Sequence, residues 1–237
     1  MCWIRYGRSL RQNEMKKDKN IILDNFIWRF AERCGAQLVT AVVTLLLARI
    51  LVPEDYGRTA LVAVFINILQ VFIDSGLGTA LIQKKDADDL DFSSVFYFNF
   101  AVCLVLYAGM FIAAPYIAAF YKDPSLTPVV RVASLTLVFS GVKGIQQAYV
   151  SRNMMFKRFF FATLGGTLFS AFLGLGMAYA GFGVWALVAQ QLSNTAIDTL
   201  ILWLTVHWRP KAVFSWQRLK GLLSYGWRLL ASSQIGR

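Results

Sequence analysis

Six apolar segments in this chain are each long enough to cross a lipid bilayer as an α-helix. A bilayer core about 30 Å thick needs roughly 20 apolar residues in helical conformation. The segments occupy residues 28–51, 59–82, 93–118, 129–150, 159–180 and 184–206. A seventh apolar stretch begins near Leu222, and the sequence stops at Arg237. The pattern predicts an all-α, polytopic membrane helix bundle with six transmembrane helices and the start of a seventh.

Composition and charge agree with a membrane protein. The chain is 57% hydrophobic and 16% charged, which is more apolar than soluble domains are. The net charge of +11 comes largely from basic residues between the apolar segments, so it does not indicate nucleic-acid binding.

We expect residues 1–24 to be a basic cytoplasmic tail, disordered at its start, and residues 25–206 to be the bundle. Residues 207–237 are expected to be a cytoplasmic linker and the truncated beginning of a second bundle.

Lysine and arginine are distributed unequally between the connectors. The N-terminal tail and the second, fourth and sixth connectors hold fifteen of these residues, whereas the first, third and fifth hold two, Arg58 and Lys122. Cytoplasmic loops of membrane proteins carry an excess of Lys and Arg. The asymmetry predicts a cytoplasmic N-terminus.

Four of the six segments carry a stripe of polar side chains at helical spacing. The stripes are Arg29, Arg33, Gln37, Thr40 and Thr44; Asn67, Gln70 and Asp74; Ser140, Lys143, Gln147 and Ser151; and Gln191, Asn194 and Asp198. Residues three or four apart share one face of a helix. An ionised group in the bilayer core is costly unless it faces water or a partner, so we expect Asp74, Lys143 and Asp198 to face the bundle interior.

The polar stripes can also serve purposes that involve no substrate. The Asn and Gln side chains can simply hold helices together. Lys143 can form an internal salt bridge, for example with Asp74, without contacting a substrate. Arg29 and Arg33 lie near the cytoplasmic end, where their side chains can reach the lipid headgroups. The sequence leaves these roles open.

The fifth segment has a different pattern, with a small residue at every fourth position. These residues are Ala162, Gly166, Ser170, Gly174 and Ala178. Such a face allows close helix packing. The aromatic residues of the third and fifth segments, such as Phe96 and Phe159, are expected to face lipid or the interface.

The sequence lacks the residue groupings of an enzyme or a metal site. Cys2, Cys34 and Cys103 are scattered, and His207 is the single histidine. No Ser/His/Asp set and no phosphate-binding loop is present. We expect no catalytic residue, no metal and no cofactor.

Four motifs resemble those of bacterial polysaccharide-export flippases. Residues 47–57 read LARILVPEDYG and resemble that family's ARxLxPEDYG junction, and residues 74–83 read DSGLGTALIQ and resemble its DxGLGTALIQ segment. Residues 145–157 resemble the exit of the family's fourth helix, and residues 181–188 resemble its GxGxWALV turn. The motifs occur in order and cover nearly all of residues 25–205.

This resemblance implies a fold and a function. The family belongs to the multidrug/oligosaccharidyl-lipid/polysaccharide superfamily, and the nearest branch exports lipopolysaccharide, colanic acid or teichuronic acid units. Its members pair two six-helix bundles around a central cavity. They move undecaprenyl-pyrophosphate-linked oligosaccharides across the bacterial cytoplasmic (inner) membrane during synthesis of surface polysaccharide such as exopolysaccharide or O-antigen. The present chain resembles the N-terminal half, which is the first bundle of this MATE-like fold.

The resemblance also suggests roles for the polar stripes. Lys143, Arg29, Arg33 and Gln147 are candidates for substrate binding, with Lys143 contacting the pyrophosphate. The candidates for ion coupling or the cavity wall are Asp74, Asn67, Asp198 and Asn194. The implied partners are the lipid-linked oligosaccharide, membrane lipids, Na⁺ or H⁺, and polysaccharide polymerase and chain-length proteins, with no nucleic acid.

Two alternative functions remain. A cation-coupled drug antiporter can share the fold, although acidic cavity residues would then predominate over basic ones. A non-transporting membrane subunit of a polysaccharide-synthesis complex would need no cavity.

Overall fold

The protein is an antiparallel assembly of helices. The computed structural model describes residues 27–28, 30–31, 33–73, 77–84, 87–153 and 155–223, with the backbone alone at 156–158. These residues form α1 (Arg33–Ile50), α2 (Pro53–Ile73), α3 (Leu77–Gln83), α4 (Asp89–Phe120), α5 (Leu126–Ala133), α6 (Leu135–Arg152), α7 (Phe156–Tyr179), α8 (Val184–Thr205) and α9 (216–223). No strand occurs in the described residues. The N-terminal tail and residues 224–237, the last part of the segment 207–237 expected to form the linker and the beginning of a second bundle, lie outside them.

Five helical spans are long and apolar enough to cross a membrane. They are α1, the α2–α3 stretch Pro53–Gln83, α4, the α5–α6 stretch Leu126–Arg152, and residues Phe159–Tyr179 of α7. The sixth predicted span, α8, has 22 residues but falls short in apolarity. Its polar stripe causes the shortfall. The protein is therefore a multi-pass membrane protein.

Two predicted boundaries change in the structure. We expected residues 53–57 to form a connector, but α2 already begins at Pro53. Proline is well tolerated in the first turn of a helix, and Glu54 and Asp55 in that turn favour its positive end. The fourth span is divided at Ser134, whose hydroxyl donates to the Val130 carbonyl at 2.6 Å.

The small-residue face of α7 packs directly on α8, as predicted. A Cβ atom on Gly166 would lie 3.0 Å from the Asn194 carbonyl oxygen and 3.2 Å from the Asp198 nitrogen. One on Gly174 would lie 2.9 Å from Cβ of Gln190. Larger side chains at these positions would force the two backbones apart. The face therefore fixes both the distance and the register between α7 and α8.

Large apolar side chains cover much of the outer surface. Val105, Ile112 and Tyr116 of α4 and Phe172 of α7 are 66–77% exposed. A soluble monomer rarely shows such a surface, whereas lipid chains would cover it.

Some aromatic residues do not follow the predicted outward orientation. Phe96 and Phe159 are buried, and Phe96 packs against Trp203 of α8 with ring centroids 6.1 Å apart. The expectation of lipid-facing aromatics was therefore wrong for these two residues. They fill the space between helices at the end of the bundle where α4 begins.

The first, third and fifth connectors meet at one end of the bundle. Arg58, in α2, donates to Asp123, between α4 and α5, at 2.8 Å. The hydrogen bond from the Ser125 hydroxyl is the main cause that lowers the pKa of Asp123. Gly183, between α7 and α8, adopts φ +54° beside the buried Asp55, so any side chain at 183 would be strained and would contact the Asp55 carboxylate.

The second, fourth and sixth connectors meet at the opposite end. Arg152 donates to the carbonyl oxygens of Leu81 at 2.8 Å and Lys84 at 2.6 Å. Trp208 is buried against Phe92 and Tyr149. These contacts join the connectors that we predicted to share the cytoplasmic side.

The segment 206–223 folds back on the start of α4, and we refer to this contact as the linker clasp. The backbone N–H groups of Lys211 and Ser215 donate to the hydroxyls of Ser93 at 3.0 Å and Ser94 at 2.9 Å. Asp91 is fully buried and forms an ion pair with Lys84 at 2.5 Å. The predicted cytoplasmic linker is therefore part of the packed structure.

Arg218 adds two carboxylate contacts to the linker clasp. It lies 2.5 Å from Asp88 and 3.7 Å from Asp91. The hydrogen bond from Arg218 is the main cause that lowers the pKa of Asp88 below its ordinary 3.8. Because the folded-state pKa is lowered, this contact stabilises the fold above pH 3.8 and loses its effect as the pH falls through the lowered value.

Replacing Gly166 should separate α7 from α8. We expect Gly166→Ala to lower the free energy of unfolding by about 1–3 kcal/mol, because its Cβ would press on the α8 backbone. Gly176→Ala on the same helix is the matched control, since a Cβ there meets nothing within 4 Å. Thermal unfolding of the detergent-purified protein measures both, and equal midpoints for the two variants would contradict the packing argument.

The linker clasp should depend on Asp91 more than on its exposed neighbour. Asp91→Ala removes a fully buried carboxylate and should destabilise the clasp by about 1–3 kcal/mol. Asp89→Ala removes a half-exposed partner of Lys211, an interaction worth about 0–1 kcal/mol. We expect faster tryptic cleavage after Lys211, Arg218 or Lys220 in the Asp91 variant alone. Equal protection in both variants would mean that the buried carboxylate does not hold the linker.

Candidate functional site

An ion pair connects two polar stripes inside the bundle. Nζ of Lys143, on α6, lies 2.9 Å from Oδ2 of Asp198, on α8. The Asp198 side chain is 6% exposed and that of Lys143 is 21% exposed. Lys143 lies nine residues before the end of α6 at Arg152, which is about 14 Å along the helix. A charged pair is thus held well inside the helical part of the molecule.

The packing of α7 against α8 positions Asp198. Gly166 leaves no side chain between the helices, so α7 lies against the backbone of α8 at Asn194 and Asp198. Asp198 therefore has α7 against its backbone, and its carboxylate lies toward Lys143 of α6. Thr199 adds a second approach to α6, with its hydroxyl 3.4 Å from the Phe139 carbonyl oxygen.

The two members of the pair differ in how fully their polar atoms are used. Oδ1 of Asp198 is buried and accepts no hydrogen bond within the described part of the chain. Lys143 carries three N–H donors, and Asp198 is its one hydrogen-bond partner among the described residues. The pair is therefore neutral overall, but it retains an unused acceptor and unused donors.

The structure identifies the carboxylate that pairs with Lys143. The sequence suggested Asp74 as an example of a salt-bridge partner, but the structure pairs Lys143 with Asp198. Asp74 and Arg29 both lie outside the described residues. Spacing along separate helices shows which side chains share a face and does not show which helices are neighbours.

The other predicted site residues occupy three different surroundings. Arg33 of α1 and Asn67 of α2 are exposed. Gln147 lines an open cleft of about 250 Å³ between α2, α3, α4 and α6. Asn194 lines a smaller cleft of about 180 Å³ between α1, α7 and α8, together with Thr40. Neither cleft has Lys143 in its lining, so the structure does not gather all predicted residues into one pocket.

Two buried polar residues were missed or placed differently by the sequence. Asn99 of α4 is 6% exposed, and its Nδ2 donates to the Gly141 carbonyl at 3.3 Å. A single Asn within an apolar segment was the available signal. Gln146, next to the stripe residue Gln147 in the sequence, is fully buried and donates to the Trp208 carbonyl at 3.2 Å.

A family model described as "Polysaccharide biosynthesis protein" matches residues 46–236, which is most of the chain. The chain belongs to this family. The matched region includes α2 to α9. It therefore contains both members of the ion pair and all the described residues that line the larger cleft.

Three curated proteins are similar to the chain. It is 26% identical over 208 residues to the succinoglycan biosynthesis transport protein ExoT of Rhizobium meliloti (strain 1021), covering 88% of this chain and 42% of that protein. It is 29% identical over 175 residues to the teichuronic acid biosynthesis protein TuaB of Bacillus subtilis (strain 168), covering 71% and 35%. It is 26% identical over 196 residues to the lipopolysaccharide biosynthesis protein WzxC of Escherichia coli (strain K12), covering 80% and 39%.

The matches cover a limited part of each relative. The chain spans 35–42% of the length of these three proteins. No solved structure matches the chain.

The ion pair should show strong coupling between its two members. Lys143→Met leaves a buried carboxylate without its counter-charge, so we expect a loss of about 3–5 kcal/mol in stability. Asp198→Leu should lose less, because Lys143 retains some access to solvent. The double variant removes both charges and should recover most of the loss. Thermal unfolding of the four proteins measures the coupling, and additive losses would show that the pair is not an energetic unit.

Proposed function

We propose that the protein is part of a flippase that moves undecaprenyl-pyrophosphate-linked oligosaccharide units across the cytoplasmic membrane for surface polysaccharide synthesis. Family membership, the multi-pass helices and the transport role in the name of ExoT support this proposal. In a longer protein of the relatives' size, this chain would form one wall of the path and a second bundle the other. The basic connectors favour a cytoplasmic N-terminus.

The observation that carries the proposal is the Lys143–Asp198 pair. Moving a pyrophosphate through hydrocarbon has a prohibitive desolvation cost, which a cation along the path lowers. Lys143 is the more exposed member and has unused donors, so an anionic headgroup can bind it while Asp198 remains in place. Asp198 keeps the lysine oriented and compensates its charge when the headgroup is absent.

Asp198 also suits a role in ion coupling. Its Oδ1 is buried and has no hydrogen-bond partner among the described residues. A headgroup that draws Lys143 away would leave this carboxylate uncompensated and favour binding of a coupling cation there. Export would then be coupled to the ion gradient through the same two side chains.

One observation favours a second function. The pair satisfies its own charges and joins α6 to α8, which is also what a non-transporting subunit of a polysaccharide-synthesis complex would need. In that case the charges contribute to stability alone. Replacing both charges at once separates the two functions, because the double variant keeps the fold while removing the cation.

The double variant Lys143→Met/Asp198→Leu should therefore be abundant but inactive. Loss of one charge-assisted contact, worth about 1.5–3 kcal/mol, should reduce export by about 10–100-fold. The measurement is surface polysaccharide in cells that carry the complete gene, normalised to the membrane level of the protein. Gly176→Ala, in open space on α7, is the control with unchanged export.

Two outcomes would contradict the proposal. Normal polysaccharide from the double variant would remove Lys143 from the transport mechanism and favour the structural function. Deletion of the gene with unchanged polysaccharide and increased sensitivity to cationic drugs would favour a drug antiporter instead.

A further inference from the structure

The polar side chains that line the larger of the two clefts are uncharged among the described residues, and we refer to this cleft as the amide cleft. It opens between α2, α3, α4 and α6 and has a volume of about 250 Å³. Its polar lining consists of Thr79, Asn99, Gln147 and Ser151. Within the described part of the chain, no charged residue lines it.

Asn99 is held in the wall with one functional group available. The residue is 6% exposed, and its Nδ2 is fixed by the Gly141 carbonyl oxygen. Asn99 lines the cleft, and its Oδ1 accepts no hydrogen bond from the residues in the described ranges. An amide oxygen has two acceptor sites, so it is able to accept from a ligand hydroxyl.

Two glycines keep the amide cleft open. A Cβ on Gly144 would meet Asn99 alone, at 3.8 Å, and one on Gly78 would meet Ala148 alone, at 3.9 Å. Side chains at these positions would therefore project into space that is now free. One of these glycines belongs to α6 and the other to α3.

The chemistry of this lining matches a sugar. Amide side chains supply donors and acceptors together, and hydroxyl side chains do the same, which suits the hydroxyl groups of a neutral saccharide. A phosphate would need cationic donors, and Lys143 does not line the cleft. Alkyl chains of lipid would leave the Asn99 and Gln147 amides unsatisfied.

We propose that the amide cleft binds a neutral sugar residue of the substrate while its charged headgroup contacts Lys143. The inference rests on the proposed function and extends it by separating the contacts for sugar and for phosphate. Gln147 lies one helical turn from Lys143 on α6, so one helix presents both contacts. The sequence stripe would then be divided between two chemical tasks.

Cysteine protection tests this proposal without relying on export. Ser151→Cys places a thiol in the cleft, and Ala212→Cys in the exposed part of the linker is the control. The reagent is a small, water-soluble thiol-reactive cation applied to inside-out membrane vesicles. One probe is lipid-linked oligosaccharide purified from the producing strain, and the other is undecaprenyl pyrophosphate, which carries no sugar.

The sugar-bearing lipid alone should slow labelling of Ser151→Cys. At about ten times its Kd, protection should be about tenfold. Equal protection by undecaprenyl pyrophosphate would overturn the proposal, because the cleft would then be recognising the lipid or the phosphate. No protection by either probe, with export intact, would mean that the cleft holds water only, and the proposal would fail.

A variant that fills the cleft distinguishes failure of the sugar site from failure of the proposed function. Gly144→Leu fills the cleft and should reduce export while leaving the Lys143–Asp198 pair in place, whereas Gly176→Leu should not. Thr79→Val removes one hydroxyl at nearly constant volume and serves if Gly144→Leu fails to fold. Normal export by a folded Gly144→Leu protein would refute the sugar site alone. Unchanged polysaccharide after deletion of the gene would refute the proposed function itself.

Discussion

The close contact between α7 and α8 is the constraint on which the candidate site depends. At Gly166 the α8 backbone lies so close that an added Cβ would be 3.0 Å from the Asn194 carbonyl oxygen, and at Gly174 one would be 2.9 Å from Cβ of Gln190. In a membrane, where lipid is as apolar as leucine, such close packing supplies much of the association energy. The contact fixes the position of α8 against α7, and Asp198 of α8 lies 2.9 Å from Lys143 of α6.

Periodicity in the sequence predicted much of this arrangement. Run length predicted the spans, and the four-residue spacing of small residues predicted the packing face of α7. Both signals are local, because they depend on one helix and on what its faces can contact. The same reasoning placed Lys143 and Asp198 on polar faces without identifying them as partners.

Features that depend on which helices are neighbours could not be predicted from the periodicity of the sequence. The burial of Phe96 requires Trp203 beside it, and the role of Gln146 requires the carbonyl of Trp208. The linker clasp requires the start of α4 to extend beyond the span. At 32 residues α4 is about 48 Å long, which exceeds a bilayer core of about 30 Å. The length of the apolar segment predicted that α4 crosses the membrane. It did not show which part of the chain would pack against the residues of α4 that extend beyond the bilayer core.

The attachment of α6 to the chain around α8 has a consequence for how the ion pair can open. Lys143 holds Asp198, and three residues later Gln146 holds the carbonyl of Trp208, beyond the end of α8. Two attachments at separate heights resist both rotation of α6 and sliding along α8. Opening of the pair is thereby left to the lysine side chain, which is the more exposed of the two members. The ion pair can thus open through a change in one side chain, without a shift of a whole helix.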